Sequence, residues 1–178
     1  MNVYKDRYND FIKKFKTNIY SLDRRFSNYI FLCIGTDKVT GDAFGPLVGK
    51  FLNELIENEY ENIFIEGTLE SPISYINIDE RLEKIYKVYE DPCLIVIDSA
   101  LSNDEEIGNI VVRKGKTNLG MGLNKKMHNI GDLSINGIIA KDYKIPKYNF
   151  YNLQNISLNF IMNFAQLVAN GIYTSIAE

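Results

Sequence analysis

Cysteine is scarce in this chain: Cys33 and Cys93 are the only two among 178 residues. Each sits inside an apolar, strand-like run, and no C-x-x-C pair occurs. Two reduced core thiols are therefore expected, in place of a redox or zinc motif. Histidine is scarcer still, with His128 alone. Long apolar runs are missing, and nothing approaches the ~20 residues of a bilayer-spanning helix. The opening MNVYKDRYNDFIKKFK lacks the unbroken apolar stretch of a secretory signal. Positive charge is not in excess either. The formal net charge is -3 and no basic stripe stands out, which gives no general attraction to nucleic acid or an anionic membrane. Three chemical signatures are absent as well. There is no G-x-S-x-G for a serine nucleophile and no G-x-G-x-x-G dinucleotide fingerprint in the loop 35–41. Gly115-Lys116-Thr117 has Ile110 where a phosphate-binding loop requires glycine. These absences point to the cytoplasm, with no nucleic-acid or membrane partner.

What is present is a regular alternation of strand-like and helix-like segments. With 46% apolar and 24% charged residues the chain has the composition of a folded protein, and its length suits one domain. Tyr4, Tyr8, Phe11, Ile12, Phe15 and Ile19 recur at helical spacing opposite Lys and Asp. Residues 1–26 are thus expected to form an amphipathic helix covering a single domain over 27–178, or alternatively an arm for a partner. YIFLCIG (29–35) is an unbroken apolar run suited to a strand buried on both faces. The loop TDKVTGD follows, and then Phe44, Leu47, Val48, Phe51, Leu52, Leu55 and Ile56 predict a helix. NIFIE (62–66) reads as a strand, 74–90 as a helix through Ile78, Leu82, Ile85 and Tyr89, and CLIVID (93–98) as a second buried strand. Asn109–Arg113 and LSINGIIA (133–140) are further strands, 115–127 a Gly- and Lys-rich loop, 149–153 a last short strand, and about 156–176 a closing helix. Strands alternating with helices predict a three-layer αβα sandwich around a mostly parallel or mixed sheet.

In such folds ligands bind beyond the carboxyl ends of the strands, where strand order reverses. Residues just after each predicted strand are therefore the informative ones. The first strand leads to Thr36, Asp37 and Asp42, the second to Glu66, Gly67 and Thr68, the third to Asp98 and Ser99. Two carboxylates held close cannot both ionise cheaply; they share a proton and become an acid and a base in one site. Carboxylates joined by the imidazole of His128, read here as a loop residue, could instead hold a metal. Simpler roles exist for each. Asp42 precedes a helix and could only cap it; His128 could be incidental. Asp98 ends a buried strand, where a carboxylate is costly without a partner. Gly120-Met121-Gly122, flanked by Lys114, Lys116, Lys125 and Lys126, could form a basic lid or a solvated loop.

The segments CIGTDKVTGDAFGPLVG (33–49), EGTLESP (66–72), LIVIDSAL (94–101), LGMGLNKKMHNIGDLSINGII (119–139) and LQNISLNFIMNFAQLVANGI (153–172) resemble, in order, the sporulation protein YyaC family. Among them G-T-D-x-x-T-G-D-x-x-G-P is fairly specific. The layout is more distantly similar to the spore germination protease and to hydrogenase maturation endopeptidases. The resemblance implies a phosphorylase/hydrolase-like fold and the cytoplasm of a spore-forming bacterium or its forespore. In the germination protease the essential aspartates lie in T-P-D-A-L-G-P and I-D-A-L segments, which match Asp42 in TGDAFGP and Asp98 in IDSAL. In the hydrogenase-processing enzymes those places bind metal with help from a histidine in H-Q-L-G. His128 in HNIGD sits similarly, and Glu66-Gly67-Thr68 is similar to their D-G-G-T. The expectation is a sporulation-associated endopeptidase in which Asp42 and Asp98 activate water. Thr36, Asp37, Glu66, Gly67, Thr68 and His128 would then bind a protein or peptide substrate. No cofactor is expected, with a divalent metal held by Asp42, Asp98 and His128, or a non-catalytic spore-binding module, as alternatives. A homo-oligomer is left open.

Overall fold

The computed structural model describes residues 3–22, 24–56, 59–119 and 128–177, with the side chains of residues 3–5 and 128 left aside. Helix α1 (Val3–Tyr20) leads to strand β1 (Tyr29–Cys33), a single 3-10 turn at Gly41–Ala43, and helix α2 (Phe44–Ile56). Strand β2 (Ile63–Glu66), helix α3 (Ile78–Val88) and strand β3 (Cys93–Ser102) follow. Strands β4 (Ile110–Lys114), β5 (Thr117–Leu119), β6 (His128–Ile130) and β7 (Leu133–Lys141) precede helices α4 (Pro146–Gln154) and α5 (Leu158–Ala177).

Five strands form one sheet in the order β2-β1-β3-β7-β4. The β1–β2, β1–β3 and β3–β7 pairs are parallel, and β4 closes one edge antiparallel to β7. Alternation along the inner strands sends side chains to two cores. Phe31, Cys33, Ile95, Ile97, Leu133 and Ile135 meet α1, α2 and α5 on one face. Ile30, Leu32, Leu94 and Val96 meet Ile78 and Ile85 of α3, with Ile73 and Leu119, on the other. This is the predicted αβα layering. Both thiols are free and buried among these side chains, and burial pushes Cys33 far up and Cys93 to about 12.

Three expectations are corrected. Residues 149–153 are helical, inside α4. Pro146 stands at its start, where a missing N–H costs nothing, and buried Asn149 accepts from the Tyr143 N–H at 2.8 Å and donates to Asp142 at 2.8 Å. Those tertiary bonds override the strand preference of the aromatic run. Residues 115–127 are not all loop, because Thr117–Leu119 pairs antiparallel with His128–Ile130 as a separate two-stranded sheet; the lid expected around Gly120–Gly122 lies outside the described residues. Helix α3 begins at Ile78 and not at 74. The Asn77 side chain accepts from Ser74 N–H at 2.8 Å and donates to Pro72 O at 3.0 Å, holding the preceding turn open.

Candidate active site

The chain runs from β1 through α2 to the edge strand β2, then back across the sheet through α3 to β3. Helix α2 covers one face and α3 the other. The connections thus diverge between β1 and β3, the kind of switch point beyond whose strand ends ligands bind in open α/β sheets. Asp42 follows β1 and Asp98 lies within the distal half of β3, so both come to this switch point.

The end of β1 is fastened in place by three backbone bonds. Ile34 N–H donates to Ile97 O at 2.8 Å, Gly35 N–H to Ile73 O at 2.8 Å, and Thr36 N–H to Asp42 O at 3.0 Å. The last bond folds the 36–42 loop back on the strand. It depends on Gly35, whose φ is +149 and where a Cβ would lie 1.9 Å from Asp42 O. Asp42 is therefore brought back beside the β1 terminus, one strand from Asp98. It sits inside the 3-10 turn, with Thr40 at that turn's cap position.

Asp98 shares its sheet face with Leu94 and Val96, by alternation. One carboxyl oxygen accepts the Ser99 N–H at 2.8 Å. Burial raises its pKa well above the ordinary carboxylate range, the charge of Asp42 pushes it further the same way, and the Ser99 bond opposes both. A neighbouring carboxylate disfavours the charged form of Asp98 in this way. Across the ladder Asp98 pairs with Asn136 of β7, which places a carboxamide on the same face. Sequence reading missed Asn136; its only signal was polar Ser134 and Asn136 alternating within an apolar strand.

The other expected residues divide. Thr36 follows the end of β1, its hydroxyl accepting from Lys38 N–H at 3.3 Å, while Asp37 is exposed beside it. Glu66 is not drawn to the pair. Its carboxylate is bound to Arg81 of α3 at 2.7 Å, both side chains about a quarter exposed, which ties helix to strand. Gly67 makes a close backbone approach: with φ +92, a Cβ there would lie 2.0 Å from Cys33 O. Thr68 O accepts from Ser71 N–H at 3.2 Å and shapes a turn. His128 begins β6, opposite Leu119, instead of lying in a loop; its side chain is outside the described residues. Among the described residues no three His, Cys, Asp or Glu side chains gather as a metal site, and no helix is long and apolar enough to cross a membrane.

The family described as "Protein of unknown function (DUF1256)" matches residues 2–171. The chain belongs to this family. The uncharacterized protein YyaC of Bacillus subtilis (strain 168) is 33% identical over 143 residues, covering 80% of this chain and 67% of that protein. This DUF1256 chain is also similar in structure to the NiFe hydrogenase maturation protease HycI from Thermococcus kodakarensis KOD1. The TM-score is 0.60 at 17% identity, over 90% of this chain and 99% of that one. At that identity the likeness establishes the αβα fold alone.

Proposed function

We propose that the chain is a sporulation-associated endopeptidase whose Asp42 and Asp98 share one proton and activate water. The observation that carries this reading is the placement of Asp42 and Asp98 after neighbouring parallel strands where the connections diverge, with the Asp42 charge raising the Asp98 pKa. Asp98, whose pKa burial and the Asp42 charge raise, holds the shared proton. Asp42, in its carboxylate form, takes a proton from a water molecule as the water oxygen attacks the peptide carbonyl. Asp98 gives its proton to the carbonyl oxygen; Asp42 then passes its proton to the amide nitrogen while Asp98 takes one back from a hydroxyl of the tetrahedral diol, as the C–N bond breaks and the amine leaves. Such acid–base steps contribute ~10²–10⁴-fold. The link to sporulation rests on the similarity to the Bacillus subtilis relative and on the aspartate-bearing segments matched to the germination protease. The protease-like fold agrees with it.

The purified protein, incubated with spore-protein extract and analysed for new peptide termini by mass spectrometry, is expected to cleave a discrete set of sites. Asp42→Asn and Asp98→Asn are expected to lower the rate by ~10²–10⁴-fold. Absence of cleavage at every pH, or equal cleavage by the variants, overturns the proposal. Cleavage that stops with a chelator, returns with Zn²⁺ or Ni²⁺ and is lost in His128→Ala would replace proton sharing with metal-assisted hydrolysis.

A further inference from the structure

The sheet face that carries Asp98 changes character from one row to the next. One row back, Val96 of β3 and Ser134 of β7 are register partners and are closed off, at 0% and 2% exposure. In the following row the partners are Asp98 and Asn136, and both are half-buried. Adjacent strands lie about 4.8 Å apart, and register partners send their side chains to the same face. The carboxyl of Asp98 and the carboxamide of Asn136 thus stand on neighbouring strands where this face first opens. Packing does not account for an amide there, because Leu133, Ile135, Ile138, Ile139 and Ala140 make the rest of β7 part of the core.

The backbone beside Asn136 is held from the opposite face. A Cβ on Gly137 would lie 2.4 Å from Phe44 Cζ, so the Phe44 ring is pressed against β7 at the next residue. Phe44 is fully buried and opens α2 directly after the turn that holds Asp42. One contact therefore ties the Asp42 turn to the strand that presents Asn136. The carboxamide itself is left over. Asp98 takes its bond from the Ser99 N–H, and among the described residues no hydrogen bond engages the Asn136 side chain. Its two N–H donors remain for a group that enters the site. We propose that Asn136 is a catalytic residue, its Nδ2 donating a hydrogen bond to the carbonyl oxygen of the scissile peptide, the oxygen that Asp98 protonates. This rests on the endopeptidase reading above. A carbonyl oxygen has two lone pairs and accepts both donors at once. Asn136 transfers no proton. Its bond strengthens as the C=O double bond opens and negative charge gathers on oxygen, so it favours the transition state over the bound substrate.

The test compares kcat and KM of the full native chain with those of Asn136→Ala and Asn136→Leu. The substrate is a synthetic peptide spanning a site that the native chain cleaves in spore-protein extract. Asn136→Leu keeps a side chain of similar size and removes the donors. Rates are referred to the folded fraction, read by circular dichroism, so that lost rate is told apart from lost fold. Both variants are expected to lose ~10²–10³-fold in kcat, the size of a missing oxyanion donor, with KM little changed. Asn136→Gln returns the donor on a longer arm and is expected to recover part of the loss. The pH profile separates this role from an indirect one. A donor that touches only substrate leaves the limb set by Asp98 where it is, whereas an amide that holds Asp98 moves that limb when removed. Undiminished cleavage by Asn136→Ala and Asn136→Leu overturns the proposal and leaves the endopeptidase reading standing. So does a loss that disappears once each variant is assayed at its own optimum pH, since Asn136 then acts through Asp98. A native chain that cleaves nothing removes the endopeptidase reading, and the proposal with it.

Discussion

At the scale of single residues, Asp98 couples the candidate chemistry to stability. Burial and the Asp42 charge raise its folded pKa, while the unfolded value stays near ~3.9. Between those two values the folded chain binds more protons than the unfolded one, so stability falls as pH rises through the window. Asp98→Asn removes this liability, and its side-chain oxygen can still accept the Ser99 N–H. The variant is therefore expected to melt higher than the native chain at neutral pH. The difference should vanish near pH ~4, and each ~1 kcal/mol gained should raise Tm by ~2–4 °C for a domain of this size. Thermal denaturation across that pH range checks it; a lower Tm, or a difference flat with pH, contradicts the raised Asp98 pKa. The position of Asp98 was legible because a carboxylate ending the run CLIVI has few other reasons to be there. Its nearness to Asp42 was only inferable from the fold class, since strand order is not written in either segment. Glu66 shows the limit of that logic: the same strand-end signal leads to Arg81, a partner fifteen residues away that no local pattern identified.

At the scale of elements, α4 depends on one buried amide. Asn149 is 5% exposed and bridges the Tyr143 N–H and the Asp142 carboxylate. Asp142 is held down to about 2, first by the Lys144 side chain and then by Asn149. Asn149→Ala leaves a buried amide without its acceptor and is expected to cost ~1–3 kcal/mol. The α4 amides should exchange faster than those of α5. Because the depressed Asp142 pKa contributes stability above its unfolded value and loses it on acidification, the cost should shrink as pH falls toward 2. Urea titrations at neutral and acid pH check both the size and the trend. The misreading of 149–153 has the same origin. Aromatic residues favour strands locally, and what converts the run to helix is a pair of bonds to a turn whose geometry comes from tertiary structure. By contrast β1 and β3 were legible from unbroken apolar runs, and α2 and α5 from apolar stripes at helical spacing that the core takes up.

At the scale of the whole molecule, the decisive question is whether α1 belongs to the body or merely lies on it. Phe11 and Phe15 are 1% and 0% exposed and join the core formed with α2 and α5. Phe15 stacks between Phe11, at 6.1 Å, and Phe31 of β1, at 6.4 Å. The Tyr8 hydroxyl meets Thr174 of α5 at 3.0 Å, and Arg7 donates to Ile107 O at 3.1 Å. A detachable partner arm would release few such contacts. Emptying the Phe15 site should therefore unseat the layer beneath the sheet, with Phe15→Ala costing ~3–5 kcal/mol. That is a large share of the ~5–15 kcal/mol that holds a domain together, and the loss should appear in a single transition with the sheet. Phe15→Leu, which keeps most of the volume, should cost much less and guards against a variant that does not fold at all. Denaturant unfolding followed by circular dichroism distinguishes the cases. A cost below ~0.5 kcal/mol, the range of ordinary surface substitutions, would make α1 an arm that folds back on a body able to stand without it.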